Sequence, residues 1–473
     1  MPKQSLNSER RKLWPDYQTV WRWHFYAGLI CIPFVLWLSV TGSIYLFKPQ
    51  IDAWLDRPYE HLKIDGAVAK PAAQVRAALA AVPGAVFNAY ELPATPQSAA
   101  RVLVGKGEQL MRVYVHPQTL EVLRVVDEDQ RFTRLIFHLH GELLQGDRGS
   151  IIVEIAASWT IVMLITGLYL WWPRRATGLW GVLIPRLQSR GRVFWRDMHA
   201  VTGMWVSLFA LFLLVSGLPW AKSWGGMLKE VRSWGGPPVV AQDWTAGRSS
   251  EIAARQLQNS LPPASGGGTD SDEHAGHHGG GGNGSIQRAV DYSALDRLVP
   301  VAQDARLSPP VLIAPPSQAS ARWTARSDTQ NRPLRVTLEL DATTGTILSR
   351  QAFSDRPLMD RIVGIGVAAH EGQLFAPLNQ ALGLFTAAGL TALSISAVVL
   401  WWRRRPENTL GAPSASQSRH VPFPLVMLIV LLAVLLPLLG LTLLLVLGIE
   451  RWLLRRSSRL SRFLGLSNTA TVI

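Results

Sequence analysis

Four histidines of this 473-residue chain stand at the ends of long apolar runs and recur at fixed spacings. A shift of 175 residues superposes His24 on His199, and with them Gly28 on Gly203, Phe34 on Phe209 and Gly42 on Gly217. A shift of 230 superposes His140 on His370, Trp171-Trp172 on Trp401-Trp402, and Arg174-Arg175 on Arg404-Arg405. A lone histidine at the end of an apolar helix is ordinarily an interfacial residue. Four at equivalent positions of a repeat call for a shared role. Two imidazoles from facing helices are the ligand set of a b-type haem. The spacing therefore predicts two bis-histidine haem sites, His24 with His199 and His140 with His370, at opposite faces of a membrane. Since no Cys-x-x-Cys-His occurs, both haems are expected to be non-covalent. His138 competes with His140 for the second site, but only His140 obeys the 230 offset.

Other candidates carry less chemistry. Gly28, Gly42, Gly203 and Gly217 would let either a neighbouring helix or a flat macrocycle come close. His274, His277 and His278, in Glu-His-Ala-Gly-His-His, form a short tract able to bind a transition metal weakly. Gly279, Gly281 and Gly284 match G-x-G-x-x-G formally, but no strand precedes them and no helix follows. No P-loop, zincin or G-x-S-x-G pattern is present, so electrons would come from a partner protein or a membrane quinol. Cys31, inside an apolar run, reads as a small hydrophobe, and a single cysteine excludes a disulfide framework.

The elements that must position the histidines are membrane spans. Only 17% of residues are charged against 48% hydrophobic, and mean hydropathy is +0.15, unlike an ordinary soluble protein. Five runs are long enough to cross a bilayer, which needs roughly 20 mostly apolar residues: 25–47, 151–172, 199–220, 376–402 and 421–449. Tryptophans mark their ends as an interfacial belt does. The first run is too long for a signal-peptide core and no cleavage site follows it, so it should remain as an anchor.

Charge gives the orientation. Segments 1–23, 173–198 and 403–420 carry five, six and four basic residues against two, one and one acidic. Loops 48–150 and 221–375 balance at twelve and fifteen of each sign. The net charge of +14 thus lies on one side and needs no nucleic acid to explain it; the N-terminus is expected inside and both long loops outside. The C-terminal tail, with five Arg and one Glu over 450–473, breaks this rule if 421–449 crosses once. A re-entrant hairpin broken at Pro437 or Gly440 would restore it, although 29 residues are few for two crossings.

The long loops read as small α+β domains, 48–137 and 221–366. An Ala-rich helix is expected over 71–82, with hairpins over 112–126 and 334–348 turning at 116–119 and 341–345. The breaker-rich insert 262–285 reads as a disordered linker.

His24 with Gly28 and Thr41-Gly42, then His140-Gly141-Glu142-Leu143-Leu144 and Gly167-Leu168-Tyr169-Leu170-Trp171-Trp172-Pro173, resemble the PepSY-associated transmembrane family. The resemblance continues through Met198-His199 with Gly203, Ser216-Gly217, His370-Glu371-Gly372 and Trp401-Trp402, while 58–126 and 293–349 resemble divergent PepSY domains. The family includes inner-membrane ferric-siderophore reductases. The resemblance implies a four-span helical bundle with two PepSY-like domains in the periplasm; the C-terminal hydrophobic segment and the Gly- and His-rich insert depart from that pattern. The resemblance also implies His24/His199 and His140/His370 as haem ligands, a ferric siderophore as substrate, and iron release by reduction. Rival readings are a partner-binding regulatory protein and a metal-uptake accessory that collects ions at His274, His277 and His278. Irons at opposite faces could be about 33 Å apart on a 22-residue span. Arg322 and Arg326 would attract an anionic chelate, but in a loop of zero net charge they read as solvated surface.

Overall fold

The computed structural model describes residues 15–173, 178–234, 290–316, 320, 322–413, 422–452 and 454–466. The insert 262–285, with His274, His277 and His278, lies outside them, as do Arg174 and Arg175. The chain divides into two units: Met1–Phe47 with Ile136–Pro237 and Ala369–Ile473, and Lys48–Leu135 with Pro238–Ala368.

The first unit is helical. Four of its helices are long and apolar enough to cross a membrane: α1 (Tyr17–Tyr45), α5 (Gly146–Trp171), α6 (Gly191–Gly217, extended by a turn to Trp220) and α10 (Leu378–Arg404). Asp16 caps α1 by accepting the N–H groups of Gln18 and Thr19 at 3.0 and 3.3 Å. Both α1 and α6 pack on α5 and on α10, so α1 faces α6 across the bundle. The burial pattern suits a lipid solvent. Ser158, Thr160, Ser394 and Ser396 are buried, while Leu208, Val40 and Phe385 are exposed. Thr160 satisfies its hydroxyl on the preceding turn, at the Ala156 carbonyl at 2.7 Å, and Ser396 does so at the Leu393 carbonyl at 2.8 Å.

Two short helices precede α5 and α10: α4 (Phe132–Glu142) and α9 (Leu358–His370). The turn from α4 into α5 is tight, with Leu143, Leu144 and Gly146 at φ 50°, 57° and 56°. Glu142's carbonyl oxygen lies 1.6 Å from where a Cβ on Gly149 would stand, so only glycine lets α5 start there. After α9, the side chains of Gln373 and Gln380 donate to the Leu46 carbonyl at 3.1 and 2.8 Å, satisfying the end of α1.

The fifth apolar run is two helices, α11 (Phe423–Leu435) and α12 (Pro437–Trp452). Leu436 breaks them at φ −128°, ψ 81°, immediately before Pro437. Backbone before and after this pair converges on one place. Leu410 N–H donates to the Phe463 carbonyl at 2.8 Å, and Arg22 of α1 donates to the carbonyls of both Pro413 (3.1 Å) and Gly465 (2.7 Å). The segment therefore enters and leaves at the same end of the bundle, the end bearing His24. It is a helical hairpin, the shape expected of a re-entrant segment, held to α5 by the Trp159 indole N–H on the Thr442 hydroxyl at 3.0 Å.

The second unit is an eight-stranded antiparallel sheet in the order β4-β3-β2-β1-β5-β6-β7-β8. Its strands are β1 (Val86–Glu91), β2 (Ala100–Lys106), β3 (Gln109–Val115), β4 (Val122–Asp127), β5 (Val311–Ala314), β6 (Trp323–Ser327), β7 (Val336–Leu340) and β8 (Ile347–Ala352). The two expected α+β regions thus supply four strands each to one sheet, joined where Tyr90 pairs with Ile313 and Glu91 with Leu312. Helices α3 (Pro71–Ala81) and α8 (Ala294–Asp304) bury Val75, Leu295 and Leu298 against Val102, Val104, Ile313 and Leu338. Asp296 of α8 accepts the Ala72 N–H at the start of α3, at 2.9 Å.

Within this unit the β1–β3 strands also carry a buried ion network. Arg112 pairs with Glu91 and, through two nitrogens at 2.7 and 3.2 Å, with Glu128; Arg101 pairs with Glu91 at 2.8 Å and with Glu60. Burial alone would raise the Glu128 carboxyl, but Arg112 and Arg131 hold it down at about 2.

Candidate functional site

His24 on α1 meets His199 on α6, with ring centroids 6.2 Å apart and planes at 78°. His140, at the C-terminal end of α4, meets His370, at the C-terminal end of α9, with centroids 6.4 Å apart and planes at 75°. The two pairs belong to opposite ends of the bundle: His140 lies against Gly42 near the end of α1, whereas His24 is near its start. His138 does not join its neighbour's pair. Its Nδ1 lies 3.2 Å from the Glu142 carboxylate, one turn on along α4.

What surrounds each ring determines its tautomer. His24 Nδ1 is 3.1 Å from the Met163 carbonyl, and His199 Nδ1 is 3.1 Å from the Leu393 carbonyl. A carbonyl only accepts, so the proton of both rings sits on Nδ1. At the other pair the same result comes through hydroxyls. Thr41 donates its hydroxyl to the Trp37 carbonyl at 2.8 Å and so accepts from His140 Nδ1 at 2.9 Å. Ser216 donates to the Phe212 carbonyl at 2.7 Å and accepts from His370 Nδ1 at 3.0 Å. In all four rings Nε2 therefore carries the lone pair, the form that ligates a metal, and the Nδ1 bond is the usual orienting contact of a ligating histidine.

The supports repeat at the histidines' own offsets. Met163 and Leu393 are 230 apart, as are Thr166 and Ser396, whose hydroxyls lie 3.0 and 3.5 Å from His24 and His199 Nδ1. Thr41 and Ser216 are 175 apart. The glycines separate into two kinds. A Cβ on Gly42 would lie 3.1 Å from His140 Cε1, and one on Gly217 3.3 Å from His370 Cε1, so these two make room for imidazoles. Gly28 and Gly203 instead face Met163 and Leu393, the residues whose carbonyls hold the other pair. Gly167 makes room for His24, with its Cβ position 3.1 Å from Cε1. Its 230-offset counterpart is Ala397, so a repeat search passes over it.

Two imidazoles that bind one metal atom from opposite sides, through bonds of about 2.0 Å, hold their centroids about 6 Å apart. Both pairs match that spacing, and their residues fit a metal ligated on two opposite sides, as in a bis-histidine haem. Among the described residues there is no group of three or more His, Cys, Asp or Glu side chains that could hold a metal ion by themselves. Each pair offers two imidazoles, a donor set that would suit a metal whose remaining positions are filled by a macrocycle. A model of the family described as PepSY-associated TM region matches residues 21–404. No curated protein matches the chain.

Proposed function

Because this chain belongs to the PepSY-associated transmembrane family, a family of membrane proteins, we propose that it is a haem-containing reductase of the bacterial inner membrane that reduces ferric siderophore in the periplasm. The observation that carries this reading is the pair of facing imidazole sets, each ring held as its Nδ1–H tautomer. Two non-covalent b-type haems, when bound, supply one-electron carriers at the two ends of the bundle. His24 and His199 would hold one and His140 and His370 the other. The Met163 and Leu393 carbonyls and the Thr41 and Ser216 hydroxyls fix ligand planes, which raises ligand basicity and limits reorganisation. Apolar side chains between the pairs, among them Ala27, Cys31, Val35 and Met163, exclude water from the route. The rise along α1 from His24 to Gly42 is about 27 Å, less than a full span length. Electrons would enter at the His24 end from a quinol or a cytoplasmic reductase, and one electron per Fe(III) would weaken its oxygen ligands' hold and release Fe(II).

The deciding experiment is a reduced-minus-oxidised visible spectrum of detergent-purified protein, with haem counted per chain, for wild type and for His24→Ala, His140→Ala, His199→Ala and His370→Ala. Two haems in wild type, with one lost or weakened in each variant, is the expected result; reduction of a ferric hydroxamate is then assayed. A chain that takes up no haem despite adequate supply would overturn the reading and leave partner capture by the sheet unit as the explanation.

A further inference from the structure

The segment that leaves α6 is clamped more firmly than a loop at a span end requires. The Trp220 indole, in the short turn Leu218–Trp220, lies edge-to-face against the His370 imidazole, centroids 5.6 Å apart at 78°. Directly after it begins α7 (Lys222–Ser233), and α5 holds the start of α7 at three points. Glu154 accepts the N–H groups of Ser223 and Trp224 at 2.8 and 3.1 Å, the Ser150 hydroxyl accepts the Lys222 N–H at 3.1 Å, and Asp147 pairs with the Lys222 ammonium. From the opposite side the Trp224 indole donates to the Leu435 carbonyl at the tip of the helical hairpin, at 3.0 Å.

Glu154 is only 3% exposed, within a helix apolar enough to cross a membrane. A carboxylate there is costly unless hydrogen-bonded, and two N–H groups at a helix start provide that compensation. The repeat does not carry this arrangement on both sides. Tyr45, the 175-offset counterpart of Trp220, packs on Phe137 with centroids 5.7 Å apart, and Leu384 stands where the 230 offset would place a second Glu154. Among the described residues the clamp stands where an aromatic ring, Trp220, meets a histidine of the pair, His370.

We propose that Trp220 is a positioning residue that fixes the plane of His370, and that Glu154 seats Trp220. Ser216 holds the imidazole at Nδ1 and the indole holds its face, so rotation about the histidine side chain is blocked from two directions. The proposal rests on the haem reading, and the two fail differently. Redox titration and low-temperature electron paramagnetic resonance of the purified full-length chain read each centre separately. Trp220→Ala and Glu154→Ala are expected to shift the midpoint potential and resonance lines of one centre only and to weaken its haem retention by about 10–100-fold. Trp220→Phe and Glu154→Gln, which keep an edge-to-face ring and one acceptor oxygen, should recover most of the wild-type signal. Two haems with wild-type potentials and lines in Trp220→Ala would overturn the proposal. If that variant loses both centres together, Trp220→Leu, which fills space without a ring, decides: a shift confined to one centre supports the role, and no shift refutes it. A wild-type chain without haem would remove the premise before any variant is made, and the proposal with it.

Discussion

Each imidazole of the two pairs is turned by an oxygen on a neighbouring helix or its own bundle wall, and that contact sets what the residue can do. Near-perpendicular planes, 78° and 75°, predict that haem held by either pair would give strongly anisotropic low-spin ferric signals; a rhombic spectrum typical of parallel ligand planes would contradict the geometry. Enlarging Gly42 or Gly217 to Leu should drive His140 or His370 from its place and cost one haem, while Gly167→Leu should cost the other, as counted by absorbance per chain. Thr41→Val leaves His140 Nδ1–H without its acceptor, a loss of about 1–3 kcal/mol for a buried donor, and should loosen the same centre. The pairing of the four histidines was legible from spacing alone because a repeated ionisable residue at the ends of apolar runs is rare. Their orienting hydroxyls were not, since Ser and Thr inside apolar helices ordinarily bond their own preceding turn. Only the three-dimensional pairing shows that Thr41 and Ser216 do both.

The sheet's ion network gives an acid signature. Glu128 is held near 2, and Glu91 also below its ordinary value despite burial, by Arg112 and its neighbours Arg131 and Arg101. A carboxyl lowered in the folded state stabilises above its unfolded value of about 4.3, and that stability is lost as pH falls through the folded value. Acid unfolding of the sheet should therefore fall between about pH 4 and pH 2, followed by hydrogen exchange of β2 and β3 amides. Arg112→Met, which takes from Glu91 and Glu128 the guanidinium they share and leaves them Arg101 and Arg131 alone, should cost up to about 3–5 kcal/mol at neutral pH and weaken this acid dependence. Helix α3 and the two hairpins were readable because alternation and turn residues are local. The joining of both regions through β1 and β5 was not, because two pairs of residues decide it and neither carries a turn signal. The fifth apolar run shows the reverse problem. Its composition is uniform, so length alone suggests one crossing, and the break at Leu436 depends on a backbone bend that hydropathy does not register.

For the whole molecule the hairpin resolves the charge pattern. It returns Arg451, Arg456, Arg459 and Arg462 to the end of the bundle that also carries Arg403, Arg404 and Arg405. In a chain with Cys31 replaced by Ser, Glu407→Cys and Arg462→Cys should react with an impermeant maleimide from the same side of the membrane; labelling from opposite sides would mean a full crossing. Removing 262–285 should leave haem content and ferric reduction intact, whereas uptake that used His274, His277 and His278 as a collecting loop would be lost. The pairing of β1 with β5 also has a consequence for biosynthesis. Glu91 and Leu312 lie on either side of α5 and α6 in the chain, so the sheet cannot close until both helices have been made and inserted. Until then the first four strands expose an unpaired β1 edge, a template for wrong association. A ribosome stalled between α6 and β5 should therefore yield a chain whose first three spans, α1, α5 and α6, are already in the bilayer while α10 is still unmade and the half-sheet is a client for chaperones.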